Sequence, residues 1–225
     1  MANCADKFTM KREKISKEKI IAAFLEESFR NTIVGTSLSD IANGVGIKKA
    51  SLYNYYPNRE AIEADTIHYC SSILFGVSFV PKNVESGAKS RSARSLLCTM
   101  CVRFFRIFQK SPHFLALSFI ENAKLFSSKS VEISRSFKRS LFFETNTAFS
   151  ALKSAGKIKK IADSEQKSLA ELFSISLFSL LLDFISEKQS AIRAGEDIAL
   201  SEEKLVRLVS DFCSILEISP KNPPC

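Results

Sequence analysis

Between Ser37 and Tyr56 the chain leaves itself little conformational choice. Ser37 followed by Asp40 is a helix-start pair. The hydroxyl accepts the amide N–H three residues on, and the carboxylate reaches back to the serine's own N–H. Leu38, Ile41 and Ala42 supply the inward side of a short helix, which Gly44-Val45-Gly46 ends. Gly46 suits a sharp turn because glycine enters the left-handed region without steric cost. A second short helix, Lys48 to Tyr56, starts at once. Pro57 closes it, because proline disfavours helix in the residue before it. Ile41, Ile47 and Leu52 are the inward hinge of the pair.

The rest of the chain also carries helical spacing. Ile20, Ile21, Phe24, Leu25 and Phe29 define a helix over Ser16 to Arg30, with Asn31 as its stop. Asn58 caps the helix after the pair, which runs towards Phe79. Pro81 to Lys89 reads as a linker. Leu97, Met100, Cys101, Phe104 and Phe108 mark another helix, and Pro112 sits early in the next. Val131 to Ala155, Ser164 to Ala194 and Ser201 to Ile218 complete a count of nine helices and no strand. Seven glycines and six prolines in 225 residues agree, since turn-rich β architectures need more of both. The predicted class is all-α. A three-helix helix-turn-helix domain (residues 16–60) precedes a larger C-terminal helical domain (61–218), between a disordered N-terminal arm (1–15) and a loose tail (219–225).

A net charge of +8 favours polyanionic partners. No secretory signal opens the chain, since Met1 to Lys19 has no apolar run of the needed length. The greasiest stretch, Leu172 to Leu182, is bracketed by Glu171 and Asp183 and falls short of the ~20 residues a bilayer requires. A cytoplasmic location without a membrane partner follows as the expectation, and the six cysteines read as reduced thiols. Cys98 and Cys101 form a Cys-x-x-Cys pair on a helix, without the strand-to-helix context of a thioredoxin-like site. A second pair for zinc is missing, and His68 and His113 read as satisfied buried residues. No metal and no cofactor are expected; redox sensing by these thiols is the alternative. Paired carboxylates, a Ser-His-Asp grouping and a phosphate-cradling glycine loop are all absent, so the chain does not read as an enzyme.

Two short helices at a sharp turn are what a duplex reader needs: one braces while the second lies in the major groove. Lys48 and Lys49 can meet phosphate or guanine, Ser51 can donate to phosphate, and Tyr53 and Tyr55 can do either. Ser37, Ser39, Ala50, Asn54 and Arg59 complete the candidate surface, with Arg59 expected to touch phosphate.

At these residues the chain resembles the TetR family of bacterial regulators. Thr36-Ser37-Leu38-Ser39-Asp40-Ile41-Ala42 matches the family's Thr-Ser/Thr-x-x-x-Ile-Ala opening. Gly46 to Tyr56 matches its Gly-Val-x-x-x-Thr-Leu-Tyr-x-His-Phe core, and Asn58-Arg59-Glu60-Ala61-Ile62 matches its next helix start. The motif covers Ser16 to Asp65. Three departures stand out. Lys48 replaces the Ser or Thr that often caps the reading helix, Tyr55 replaces the usual His, and Asn31 stands near the missing glycine after helix one.

The resemblance implies a homodimer on a palindromic operator in double-stranded DNA, a repressor released when a small apolar or amphipathic effector binds the C-terminal domain. Under that reading Phe104, Phe105, Phe108, Phe119, Phe142 and Phe149 line the pocket; the alternative is that they simply fill the core. Arg103, Arg106 and Lys110 offer an anionic head group a partner, or form a solvated face. The implied dimer interface is Leu177, Phe178, Leu181, Leu182 and Ile185 with Leu205, Leu208, Val209 and Phe212, because the helix around Leu177 is apolar nearly all round. A monomer hiding these residues internally is the alternative. Two other readings stay open: a DNA-binding regulator with no small ligand, and an activator.

Overall fold

A computed structural model describes residues 15–196, Ile198 and 202–216 of the chain. The regular structure among them is helical, in ten elements. The N-terminal part holds α1 (Lys17–Asn31), α2 (Leu38–Val45), α3 (Lys49–Leu52) and α4 (Arg59–Phe75). Beyond it lie α5 (Val84–Ser90), α6 (Ala93–Phe108), α7 (His113–Ala123), α8 (Ser128–Ser154), α9 (Asp163–Arg193) and α10 (Glu202–Leu216). The expected tail (219–225) and all but Ile15 of the expected arm (1–15) lie outside the described residues.

α1 starts where Ser16 accepts the Lys19 N–H, at 3.4 Å, and buries Ile20, Ile21, Phe24, Leu25 and Phe29. Asn31 was expected to turn left-handed and stop it. Asn31 instead stays helical, and the positive φ falls on Thr32, at 72°. A β-branched residue is held there by local bonds: its Oγ1 accepts the Gly35 N–H at 3.1 Å, and its carbonyl accepts the Thr36 hydroxyl at 2.8 Å. A Cβ on Gly35 would stand 2.4 Å from the Asn31 carbonyl oxygen, so this return of the chain needs glycine.

α4 begins as expected, with Asn58 Oδ1 accepting the Ala61 N–H at 2.8 Å, but it ends at Phe75 rather than near Phe79. Two side chains then fix residues 78–80. The Glu144 carboxylate on α8 accepts the Val80 N–H at 2.8 Å and the Ser78 hydroxyl at 3.0 Å, and also the Phe79 N–H. From α6, Arg103 donates to the carbonyls of Ser78 and Phe79, both at 2.8 Å. Arg103 is therefore a tether rather than a plain solvated face. The polar run 81–89, expected as a linker, contains α5, which buries Val84 and Ala88 one helical turn apart. This accounts for ten helices where nine were expected.

α8 and α9 form the long pair of the C-terminal part, with α10 packed on α6 and α9. One continuous core joins both parts, as α1 rests on α7 and α4 packs on α7 and α8. Phe24 meets Phe119 edge-on at 5.3 Å across that junction. α9 is long and apolar enough, by length and composition, to cross a membrane, so the shortfall expected of Leu172 to Leu182 does not hold for the helix as a whole. Its Phe173, Leu177, Phe178, Leu181, Phe184 and Ile185 are buried, which is how a core helix spends such residues.

Candidate nucleic-acid interface

The brace helix α2 is fixed by a closed capping box. Asp40 N–H donates to Ser37 Oγ at 3.2 Å, and Ser37 N–H donates to Asp40 Oδ2 at 2.7 Å. That backbone bond, with the serine side chain second, holds the Asp40 carboxyl below the usual carboxylate range. Ile41 and Ala42 face the core. At the far end Gly46 takes φ 75°, its N–H returns to Asn43 at 3.0 Å, and the Ile47 N–H reaches the Ala42 carbonyl at 2.9 Å. These bonds set the angle at which the next helix leaves.

That next helix is shorter than expected. α3 spans Lys49–Leu52, and the chain then continues as turns, with both Tyr55 and Tyr56 N–H groups reaching the Leu52 carbonyl at 2.9 and 3.0 Å. Lys48 is the N-cap and makes no side-chain cap bond. The missing Ser or Thr is thus not replaced locally. Leu52 is buried, while Lys48, Lys49, Ala50, Tyr53 and Asn54 are exposed and Ser51 and Tyr55 half-buried. Ser37 and Ser39, at the start of α2, are exposed as well. A compact basic and hydroxyl-bearing edge results, backed by apolar residues.

Arg59 does not join that edge. Its guanidinium donates to the carbonyls of Thr36 and Ile33, and its Nε to Glu63 at 2.8 Å, while the group lies over the Phe24 ring at 5.5 Å. The expected phosphate ligand is instead turned inward, where it holds the α1–α2 loop against α4. Sequence spacing gave no signal for this, because the acceptors are backbone atoms 23 and 26 residues away. Tyr56 is a second brace, which no local sequence pattern marks. Its ring is buried beneath Lys17 Nζ at 4.6 Å, and Lys17 reaches Asp65 at 3.7 Å. Burial, and then the neighbouring Asp65 carboxylate, push the Tyr56 hydroxyl well above its ordinary pKa.

The aromatic residues expected around a pocket divide sharply. Phe104, Phe105, Phe108, Phe119 and Phe149 are at most 3% exposed. Phe104 packs on Phe79, Phe105 and Phe108, and Phe149 on Phe173, all within 6.1 Å. Phe142 is different: with Ile175, Phe178, Ser174, Glu171, Lys138 and Arg139 it lines a cleft of about 420 Å³ between α8 and α9. Of the expected dimer residues, Leu177, Phe178, Leu181, Ile185, Leu205 and Val209 are buried within the chain itself, and Leu182, Leu208 and Phe212 are half-buried. The apolar residues that α9 leaves open are Leu172 and Ile175, at 56% and 58% exposure. Cys70, Cys101 and Cys213 are buried and Cys98 half-buried, and desolvation raises the Cys98 and Cys101 thiols above their ordinary range. His113 is shifted down, also by burial, but its buried Nδ1 has no hydrogen-bond partner among the described residues and His68 is exposed, so neither is the satisfied buried histidine expected.

The sequence matches no family profile and no curated protein. Solved structures match the fold along nearly the whole chain. A transcriptional regulator from Saccharomonospora viridis, solved in complex with choline, has TM-score 0.61 at 12% identity, covering 90% of this chain and 98% of its own. A TetR transcription regulator from Haloarcula marismortui gives 0.58 at 11%, over 90% and 98%. One of the TetR family from Cytophaga hutchinsonii gives 0.57 at 14%, over 92% and 100%. Helix order, the capped α2, the Gly46 turn and these likenesses together show that the chain has the fold of the TetR-family transcriptional regulators.

Proposed function

We propose that the chain is a TetR-family DNA-binding regulator that works as a homodimer and leaves a palindromic operator when a small effector binds. The observation that carries the reading is the braced edge of α3, with Lys48, Lys49, Ser51, Tyr53 and Asn54 presented beyond a fixed Gly46 turn. Such an edge suits base and phosphate contacts in a major groove. Selection from a random duplex pool tests it. An inverted repeat with half-sites one helical turn apart is expected, and enrichment of no sequence at any salt would sink the reading.

The dimer reading draws on the open apolar face of α9. A second copy placed on Leu172 and Ile175 would cover it across a two-fold axis, with half-buried Leu182 beside them, and would border the cleft that Ile175 also lines. The effector reading draws on the cleft at Phe142, whose volume suits a small organic molecule, and on the choline held by the S. viridis protein. Its wall mixes Ile175 and Phe178 with Lys138, Arg139 and Glu171, which fits an amphipathic ligand.

A second reading, regulation without a small effector, is favoured by the tight packing of Phe104, Phe105, Phe108, Phe119 and Phe149. Native mass spectrometry of the purified dimer separates the two. A co-purifying small molecule supports the effector, and its absence together with an unchanged melting temperature across a metabolite panel supports the second reading.

A further inference from the structure

The last turns of α9 reach across the chain to the C-terminal end of α1. Gln189 Nε2 donates to the Phe29 carbonyl at 2.6 Å, and Arg193 Nε donates to the Arg30 carbonyl at 2.7 Å. The last carbonyls of a helix have no partners within it, and α1 stops at Asn31 where Thr32 turns to positive φ. Two side chains one turn apart on α9 therefore cap α1 from about 160 residues away. The join has apolar backing. Phe29 meets Phe114 edge-on at 5.1 Å, and Lys188 Nζ stands over the Phe114 ring, also at 5.1 Å.

We infer that Gln189 and Arg193 are positioning residues that lock the DNA-reading unit to α9 and so set the half-site spacing the dimer accepts. This rests on the reading of the chain as a DNA-binding dimer. α1 packs directly on α2, so a tilt of α1 carries α2 and α3 with it. α9 carries the open apolar face assigned to the second copy. One helix thus links the two-fold axis to the end of α1, a mechanical route additional to the covalent one through α4 and to the packing of α1 on α7. Spacing between recognition helices decides which operators a dimer can span, and rigid elements with discrete contacts are the physical means of such coupling.

The test compares wild type with Gln189→Ala/Arg193→Ala, Arg193→Lys and, as an exposed α9 control, Ser186→Ala. Each is used to select duplexes from a pool holding half-sites at varied spacing, and each is followed by hydrogen exchange of residues 30–41 without DNA. Wild type and Ser186→Ala are expected to enrich one spacing. The double variant should keep the same half-site but lose about tenfold of its preference over spacings one base pair away. A loss of that size suits one neutral and one charged hydrogen bond partly replaced by water. Its residues 30–41 should exchange faster while the melting temperature stays within a few degrees, and Arg193→Lys should recover part of both effects. Unchanged spacing preference and unchanged exchange in the double variant would overturn the inference. If wild type enriches no duplex, the DNA-binding reading falls, and the exchange comparison alone decides whether α9 restrains the α1 end.

Discussion

Arg59, in the first turn of α4, donates from its guanidinium to the carbonyl of Thr36, the residue immediately before the N-cap of α2. The helix that leaves the reading unit therefore holds the entrance of the brace helix. With the Ile33 carbonyl, Glu63 and the Phe24 ring around it, Arg59 locks α1, the α1–α2 loop and α4 into one body. The α3 edge gains its orientation from that body.

Replacing Arg59 by Ala should lower unfolding stability by ~2 kcal/mol, since two buried-side carbonyls lose a charged donor. The salt slope of DNA binding should stay as in wild type, because no phosphate contact is removed. Arg59→Lys should recover less than half, as an ammonium cannot serve two carbonyls and a carboxylate with a planar fork. Urea unfolding and DNA titration over a salt series check both parts.

Ser37→Ala should cost ~1 kcal/mol through the lost cap. The Asp40 side of the box has a pH signature. A carboxyl whose pKa is depressed in the folded state adds stability above its unfolded value and loses it as pH falls through the folded one. The stability difference between wild type and Asp40→Asn should therefore hold at neutral pH and shrink as pH drops below the ordinary aspartate value of 3.8. Thermal melts from pH 7 to pH 2 measure it, and a difference that does not narrow on acidification counts against the box.

Lys49→Ala should weaken binding by ~1–3 kcal/mol and relax base preference at one position per half-site, if the lysine meets guanine. Repeating the duplex selection with the variant shows whether a base position loses its information. Uniform weakening with intact preference would assign Lys49 to phosphate.

If the proposed dimer forms through α9, Leu172→Glu should leave a folded monomer, because this side chain is open on the single chain and lies outside the cleft that Ile175 lines. Leu177→Ala should act differently, costing ~2–5 kcal/mol in the fold, since Leu177 is fully buried within the chain. Sedimentation velocity and thermal melting separate the two effects.

The parts readable in the sequence were those decided within a few residues. Ser37 and Asn58 cap their helices and Gly46 turns left-handed, because each acts through its own backbone or the next turn. α5 escaped notice because its apolar signal is Val84 and Ala88 within a polar run. The Arg59 contacts, the Glu144 and Arg103 grip on residues 78–80, and the α9 caps on α1 join distant segments, so no local pattern announces them. α9 was legible as a helix but not as faces. When apolar residues surround a helix, composition cannot say that Leu177 points inward and Ile175 outward.

Dimethyl sulfate protection on a selected duplex reads guanine N7 in the major groove and so shows whether α3 lies there. Two protected patches about one helical turn, ~10 base pairs, apart are expected, both lost with Lys48→Ala/Lys49→Ala. Bound duplex with guanine N7 fully reactive in both half-sites would contradict that placement.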